Sequence, residues 1–446
     1  MSGIAKIMRQ QGYTISGCDT ALNSNTQELE QLGCSISPCH NGTLCTDSSI
    51  DLLVHTTAVK KNHPEIIRAQ ANGITIIHRS QLLAELTRTK YSICVSGSHG
   101  KTTTTSMITH IMRSSQRDIT FVIGGNLHAV SSNAHHGNDP FLVTEADESD
   151  RSLLNLFPTI AVVTNSDFEH VDTYHNLHDV TTMFNDFIRA IPFYGAAILC
   201  MDSKPLETLL PLSHGTALTY GKGRQYAWGY ENISLEATAS TYDLYHHGAQ
   251  VTRVFLPIAG IHNIANSVAA IAATVYAGVS IEKAVQELAT FGGVDRRFTY
   301  KGTFKATAIF DDYGHHPTEI RHTLEVARKA TSGKLTVIFQ PHRYTRTHVL
   351  WKDFISVFLE SAIDELIITD IHAASEQPID GVTSQQLVAA IQALNPPFKI
   401  VYVPLDEQFN QLKEYIHLLE EREGLLLLQG AGKLNYLPNA LFESQA

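Results

Sequence analysis

The chain has 446 residues, 43% of them hydrophobic, which is enough for large cores; the length suggests about three domains. Its 44 acidic residues outnumber its 33 basic residues, and the net charge of -11 argues against general binding to nucleic acid or anionic membranes. No apolar run reaches membrane-spanning length and no secretory signal opens the chain, so we expect a cytoplasmic protein without membrane insertion.

Helices and strands alternate in the first 89 residues. The sequence predicts a helix at 2–11, strands at 13–18, 50–54 and 73–78, and a helix at 81–87. This alternation predicts a parallel, Rossmann-like α/β unit whose ligands bind beyond the carboxyl ends of the strands. Asp19 follows one of these strands, where an acidic side chain often accepts ribose hydroxyls, although a cap or turn role fits equally well.

Three cysteines lie near a histidine in this first unit, namely Cys34, Cys39 and Cys45 around His40. Their spacings are loose and no C-x-x-C pair occurs. We therefore expect reduced thiols rather than a zinc site.

A glycine-rich stretch, S-G-S-H-G-K-T at 96–102, follows a predicted strand and opens a predicted helix. Such a turn directs several backbone N–H groups at one point, where the helix dipole and Lys101 add positive charge. The stretch therefore predicts a polyphosphate site in which Thr102 offers its hydroxyl to Mg²⁺. Its spacing is two residues shorter than the general phosphate-loop motif, so a tight turn with an exposed lysine is the alternative.

Polar clusters follow the next two predicted strands, 141–144 and 160–163, which end in E-A-D-E-S-D and T-N-S-D-F-E-H-V-D. The simplest account is that Glu145 and His170 reach the same Mg²⁺ as Thr102, because the carboxyl ends of parallel strands share one edge. Solvated acidic loops are the alternative for each cluster taken singly.

Shorter alternating segments at 217–256 predict an antiparallel excursion, in which we identify no chemistry. The helix that follows carries Asn263 and Asn266, three residues apart and hence on one face. These amides could bind an adenine edge, or they could cap the helix.

A glycine-rich hinge at 292–298 precedes a third α/β unit with strands at 308–310, 335–339, 365–369, 399–403 and 424–428. Its first two strands run into D-D-Y-G-H-H-P and Q-P-H-R-Y-T-R. Arg343 and Arg346, three residues apart, could present two planar forks to one carboxylate, or they could form surface salt bridges.

Together these motifs resemble the muramyl ligase family of peptidoglycan synthesis over nearly the whole chain. The resemblance rests on S-G-S-H-G-K-T-T-T, E-A-D-E-S-D, T-N-S-D-F-E-H-V-D-T-Y, D-D-Y-G-H-H-P-T-E, F-Q-P-H-R-Y-T-R-T and Q-G-A-G-K, in this order. It implies an α/β fold of three domains: a Rossmann-like UDP-substrate domain at 1–89, a P-loop ATPase-like parallel sheet with a small antiparallel excursion at 90–295, and a Rossmann-like amino-acid domain at 296–446.

The resemblance also implies roles for individual residues. The ATP site would comprise Gly97, Ser98, His99, Gly100, Lys101, Thr102, Thr103, Asn263, Asn266 and Arg297, and the magnesium ligands would be Thr102, Glu145 and His170. The amino acid would be bound by Tyr313, His315, Arg343 and Arg346, and the UDP-substrate by Ser2, Gly3, Asp19 and Asn165. Lys101, Arg297 and His315 would act in catalysis.

The activity implied is that of an ATP-dependent ligase of cell-wall biogenesis, which acts on small molecules and on neither nucleic acid nor membrane. It would join the lactyl carboxylate of UDP-N-acetylmuramate to L-alanine through an acyl phosphate, releasing ADP and phosphate. The last three motifs favour L-alanine as the incoming group. A ligase that attaches a whole tripeptide to the same sugar, or an ATP-binding regulator without catalysis, remains an alternative.

Two departures from the family pattern bear on these expectations. Asp167 and Glu169 stand where the family usually has glutamate and aspartate, which changes the carboxylate lengths beside His170. The chain also begins inside the glycine turn of the first domain, so we expect a longer native protein with one more strand upstream. Without that strand its two neighbours cannot pair, because they would lie about 10 Å apart.

Overall fold

The computed structural model describes residues 1–19, 23–44, 49–127, 132–170, 173–210, 215–418 and 423–443. The helices are α1 (Ser2–Gln10), α2 (Ser24–Gln31), α3 (Pro64–Ala71), α4 (Arg79–Arg88), α5 (Lys101–Ser114), α6 (Leu177–Arg189), α7 (Ile261–Tyr276), α8 (Ile281–Leu288), α9 (Pro317–Ala330), α10 (Tyr344–Val349), α11 (Trp351–Leu359), α12 (Ser384–Gln392), α13 (Asn410–Leu418) and α14 (Leu437–Glu443). Cys45, Val171 and Asp172, which belong to predicted motifs, lie outside the described residues.

The strands are β1 (Ser16–Cys18), β2 (Ser35–Ser37), β3 (Leu52–His55), β4 (Thr75–His78), β5 (Tyr91–Ser96), β6 (Thr120–Leu127), β7 (Ser132–His135), β8 (Phe141–Glu145), β9 (Ile160–Val163), β10 (Ala196–Cys200), β11 (Thr216–Lys222), β12 (Trp228–Leu235), β13 (Ser240–His246), β14 (Ala249–Leu256), β15 (Thr299–Phe304), β16 (Thr307–Asp312), β17 (Lys334–Phe339), β18 (Glu365–Ile368), β19 (Lys399–Tyr402) and β20 (Gly424–Gln429). None of the helices within the described ranges is long and apolar enough to cross a bilayer.

The N-terminal unit contains two separate pairs of parallel strands. β1 pairs with β2, and β3 pairs with β4, but in the described part of the chain no ladder joins the two pairs.

Helix α1 packs against the edge of the central sheet as well as against α2. The ammonium of Lys6, which is 1% exposed, donates to Glu28 at 2.5 Å and to Asn133 of β7 at 2.9 Å. Ile4 and Ile7 are buried in the same hydrophobic cluster as the central domain. This helix therefore joins the N-terminal unit to the central domain.

The central sheet has ten strands in the order β14-β13-β12-β11-β10-β9-β5-β8-β6-β7. Its middle strands are parallel, and β12, β13 and β14 form an antiparallel meander, which confirms the predicted excursion. A second antiparallel pair, β6 with β7, was not predicted. Because β5 lies between β8 and β9, the polar segments that follow these three strands meet at one edge of the sheet.

The C-terminal sheet has the order β15-β16-β20-β17-β18-β19, with only β15 antiparallel among the described strands. Hydrophobic clusters cover both of its faces: one contains Leu335 and Val337, and the other contains Ile338 and Leu426. Strands buried on both faces agree with the predicted doubly wound unit. The order brings the ends of β16 and β17 to either side of β20, where their polar segments converge.

Candidate active site

Two glycines allow the phosphate loop to fit closely against its neighbours. Gly97 has a φ of +128°, and a side chain there would overlap the hydroxyl of Thr164. Gly100 has a φ of +84°, and a Cβ there would lie 2.6 Å from Oδ1 of Asn266. Asn165 clamps the loop, accepting from the backbone N–H of His99 and donating to its carbonyl, each at 2.9 Å. Asn165 therefore braces the loop, and the role in UDP binding that the resemblance implies for it stays a prediction.

The loop lysine is held in place from three sides. Nζ of Lys101 donates to the carbonyls of Gly97 at 2.7 Å and Ser98 at 3.2 Å, and to Oε1 of Glu148 at 2.6 Å. Burial alone would lower the pKa of Lys101, but the carboxylates around it, Glu148 first among them, together raise it. The ammonium is therefore charged in the folded protein.

Oxygen donors suited to Mg²⁺ lie beside this lysine. The hydroxyl of Thr102 donates to Oε2 of Glu145 at 3.1 Å, and the N–H of Gly124 donates to Oε1 of the same carboxylate at 2.6 Å. Burial raises the pKa of Glu145, and the Gly124 N–H and the Lys101 charge oppose that rise only in part. A hydroxyl and a carboxylate are hard oxygen ligands, so the donor set fits Mg²⁺.

His170 reaches the same region through a different carboxylate. It has a φ of +55°, and its Nε2 lies 3.0 Å from Oε1 of Glu148 and 3.8 Å from Oε2 of Glu169. Glu148 therefore contacts both Lys101 and His170, two residues that the sequence analysis assigned to the site.

The histidine of the phosphate loop lies among carboxylates from two domains. Nε2 of His99 lies 3.3 Å from Asp167, and Nδ1 lies 3.5 Å from Glu319 and 3.9 Å from Glu169. Burial lowers the pKa of His99, but the hydrogen bonds to Asp167 and Glu319 raise it to about 10. Ligand atoms of His99, Asp167 and His316 lie within 4.8 Å of one another, and a metal bound there would have to displace the proton of His99.

The two departures from the family pattern have different surroundings. Asp167 accepts from the hydroxyl of Thr318 in the C-terminal domain at 2.8 Å as well as contacting His99. Oε2 of Glu169 lies 3.8 Å from His170, farther than Oε1 of Glu148 at 3.0 Å. Both carboxylates therefore face the C-terminal domain, and the longer one also lies near the predicted metal ligand His170.

Glu169 also contacts the residues predicted to receive the amino acid. Its Oε1 accepts from Nη2 of Arg346 at 3.1 Å and lies 3.8 Å from Nε2 of His315. Nη1 of Arg346 lies 2.8 Å from Nδ1 of His342. Burial and, after it, the charge of Arg346 lower the pKa of His315 to about 4, so its imidazole is neutral at pH 7.

The other predicted amino-acid residues lie farther out. Arg343 is half-exposed, with Nη1 3.7 Å from Glu376. Arg343 directly precedes α10, which begins at Tyr344, whereas Arg346 lies within that helix. The ring of Tyr313 contacts the guanidinium of Arg297, whose Nη1 lies 3.7 Å from Glu319.

The remaining predicted residues lie on α7, on α5 and in the N-terminal unit. Asn263 donates to the carbonyl of Ala259, just before its helix, at 2.7 Å, and Asn266 lies against the phosphate loop. Thr103 is buried in the first turn of α5. Ser2 and Gly3 begin α1 next to β7, where Ser2 accepts from Asn133, and exposed Asp19 follows β1.

Sequence reasoning missed several residues of this site, namely Glu148, Thr318, Glu319 and His342. Glu148 was visible only as one of four acidic residues in E-A-D-E-S-D. Glu319 carried a better signal, because it stands three residues after His316 and closes the capping box of α9.

Three domain descriptions match the chain: "Mur ligase family, catalytic domain" at 1–91, "Mur ligase middle domain" at 95–274, and "Mur ligase, glutamate ligase domain" at 296–432. The chain belongs to the Mur ligase family, as the motifs indicated. A UDP-N-acetylmuramate--L-alanine ligase of Syntrophus aciditrophicus (strain SB) is 40% identical over 435 residues, which cover 98% of this chain and 89% of that protein. The enzyme of the same name from Myxococcus xanthus (strain DK1622) is 38% identical over 99% of this chain and 92% of its own.

Solved structures of related ligases have a similar fold. The UDP-N-acetylmuramate-alanine ligase MurC of Thermotoga maritima aligns with a TM-score of 0.82 at 25% identity, over 100% of this chain and 96% of its own. A murein peptide ligase of Psychrobacter arcticus aligns with a TM-score of 0.73 at 23% identity, over 100% and 96% of the two chains, and shows the fold alone.

Proposed function

We propose that this chain is an ATP-dependent ligase that joins the lactyl carboxylate of UDP-N-acetylmuramate to the amine of L-alanine. One observation carries the proposal: Glu169 contacts both His170, beside the phosphate loop, and Arg346 with His315 in the C-terminal domain. Groups that handle phosphate and groups that handle an amino acid therefore face one space. The names of relatives about 40% identical over nearly the full chain support the same substrates.

The chemistry requires activation, because a carboxylate is a poor acyl donor. Transfer of the γ-phosphoryl group of ATP to the lactyl oxygen gives an acyl phosphate, and the amine attacks its carbonyl carbon to expel inorganic phosphate. The task of the protein is to position the reactants and neutralise charge. Lys101 and the loop amides stabilise the transferring phosphoryl group, and Arg297 adds a second cation.

We further propose that Thr102, Glu145 and His170 hold Mg²⁺ for this reaction. The bound ion supplies positive charge to the phosphate oxygens. Thr102 and Glu145 already lie within hydrogen-bonding distance of each other, so both oxygens are directed at one point.

For the incoming L-alanine, Arg346 and Arg343 would bind the carboxylate, and Tyr313 would line the site. Nδ1 of His315 lies 3.1 Å from the carbonyl of Tyr313, and a carbonyl can only accept. Nδ1 therefore carries the proton of the neutral ring, and Nε2 is left to accept a proton from the amine.

The N-terminal unit, 1–89, would hold the UDP group through Ser2, Gly3 and Asp19, while 90–295 and 296–446 would be the ATP and amino-acid domains. Because UDP-sugars and ATP are the substrates, we place the reaction in the cytoplasm, where it would support cell shape and division.

The test is release of phosphate by the purified protein, measured with UDP-N-acetylmuramate and L-alanine together and with each omitted. We expect release only with both, and none with D-alanine. Preference for L-alanyl-D-glutamyl-diaminopimelate over L-alanine would instead identify a recycling ligase. ATP binding without turnover on either acceptor would contradict the proposal.

A further inference from the structure

Glu148 has a buried carboxylate but no role in the reaction proposed above. Its side chain is 1% exposed, and Oε1 receives hydrogen bonds from Lys101 at 2.6 Å and His170 at 3.0 Å. Within the described residues, Oε2 is buried without a hydrogen-bond partner. The hydroxyl of Tyr174 donates to the backbone carbonyl of Glu148 and fixes the segment behind it. Burial of a carboxylate is costly unless it is paired, so the contacts of Oε1 with Lys101 and His170 stabilise the buried charge of Glu148.

The other carboxylates of this segment have different partners. Glu145 contacts Thr102 and Gly124, Asp147 pairs with Arg79 at 2.9 Å, and Asp150 accepts from the N–H of Ser152 at 3.0 Å. Of the described residues in this segment, Glu148 is thus the carboxylate that joins the phosphate-loop lysine to the histidine.

This geometry determines which nitrogen His170 can present. An ionised carboxylate only accepts hydrogen bonds, so Nε2 of His170 carries a proton, and its lone pair lies on Nδ1. A carboxylate behind a ligating histidine orients the ring and raises its basicity, and loss of such a partner commonly costs about 10- to 100-fold in metal affinity.

The same oxygen also competes for Lys101. A charge-assisted contact of 2.6 Å holds the ammonium beside the loop carbonyls of Gly97 and Ser98. A phosphate that binds Lys101 must therefore compete with the carboxylate of Glu148.

We propose that Glu148 is a positioning residue of this ligase, whose buried carboxylate presents His170 through Nδ1 and holds Lys101 until a nucleotide phosphate takes its place. The inference rests on the proposed function. It predicts effects of opposite sign when the charge is removed, because Lys101 is released while His170 loses its orientation.

The experiment compares the wild type, Glu148→Gln and the control Asp150→Asn by calorimetry with ADP, first without metal and then along a Mg²⁺ series. For Glu148→Gln we expect metal-free ADP to bind at least about threefold more tightly. The Mg²⁺ concentration that gives half of the maximal ADP affinity should rise about 10-fold or more. Asp150→Asn should match the wild type in both. No change in either quantity for Glu148→Gln, or weaker metal-free binding, would overturn the proposal.

A second measurement needs no variant of Glu148. Nitrogen-15 NMR of the wild-type protein, with the His170 signals assigned by their loss in His170→Gln, should find the proton on Nε2; a proton on Nδ1 alone would overturn the proposal. Neither readout requires turnover, so failure of the phosphate-release assay would count against the ligase function and leave the test of Glu148 intact.

Discussion

The carboxylate of Glu169 in the central domain accepts a hydrogen bond from the guanidinium of Arg346 in the C-terminal domain, with 3.1 Å between Oε1 and Nη2. Both side chains are at most 10% exposed, so little water screens the pair. Because Arg346 also contacts His342, its planar fork has two partners already in fixed positions.

The substitution Arg346→Lys keeps the positive charge but removes the planar guanidinium, which can donate hydrogen bonds to two partners at once. We expect the apparent KM for L-alanine to rise about 10-fold or more, with little change in KM for ATP. Arg343→Lys should act in the same direction. Arg321→Lys, whose partner Glu360 lies on the surface, is the control. Equal changes in both KM values would assign Arg346 a purely structural role.

Lys101 and Glu148 should be coupled in stability. Lys101→Met removes the ammonium and leaves a buried carboxylate with His170 as its remaining partner, which we expect to lower the free energy of unfolding by about 3 kcal/mol. Turnover should fall by about 10²–10³. Addition of Glu148→Gln should restore most of the stability but not the turnover. A double variant no more stable than Lys101→Met in denaturant titrations would contradict the coupling.

Gly97→Ala should be far more harmful than Gly12→Ala. Both positions have positive φ, so each alanine costs about 1–2 kcal/mol in backbone strain. A methyl group on Gly12 would meet no atom within 4 Å, whereas one on Gly97 would overlap Thr164. We expect a larger loss of unfolding free energy at Gly97, together with loss of ADP binding. Similar losses for the two variants would show that the loop tolerates the methyl group.

Asp311 should make stability depend on pH. It is fully buried, and burial, opposed by Arg296, raises its pKa to about 6. In the unfolded chain the pKa of this carboxyl lies near 3.8, so the native state binds the proton of Asp311 more tightly than the unfolded state does. The stability that this proton contributes is therefore lost as pH rises from about 4 through about 6. Relative to the wild type, Asp311→Asn should gain up to about 3 kcal/mol between pH 4 and 7. Exposed Asp380→Asn should show no such trend, and a constant difference for Asp311→Asn would refute the assignment.

The sequence could predict which segments meet at the edge of the central sheet that carries the phosphate loop, because the carboxyl ends of parallel strands lie at the same edge. Val95 of β5 stands opposite Glu145 of β8, so the phosphate loop and the acidic segment had to be neighbours once the strands were recognised. Hydrophobic runs bounded by polar residues carry that information locally. The roles of the residues stay predictions.

Side-chain direction in the loops could not be predicted in the same way. Glu145 ends β8 and Glu148 follows it by three residues in an irregular segment, so no pattern indicates which of them faces Lys101. The contact of Glu169 with Arg346 joins residues 177 positions apart, across two domains. Such contacts depend on how whole domains pack, which a local pattern does not encode.

The division of the N-terminal unit into two short pairs of strands has a consequence for its dynamics. Pairs with three or four residues per strand, which no ladder joins within the described part of the chain, can open locally at far lower free energy than β5 and β9, which are enclosed in the ten-stranded sheet. Amide hydrogens of 16–18 and 52–55 will therefore exchange with solvent well before those of 91–96. A substrate that contacts both pairs will slow that exchange, and the amides of this unit will then report occupancy.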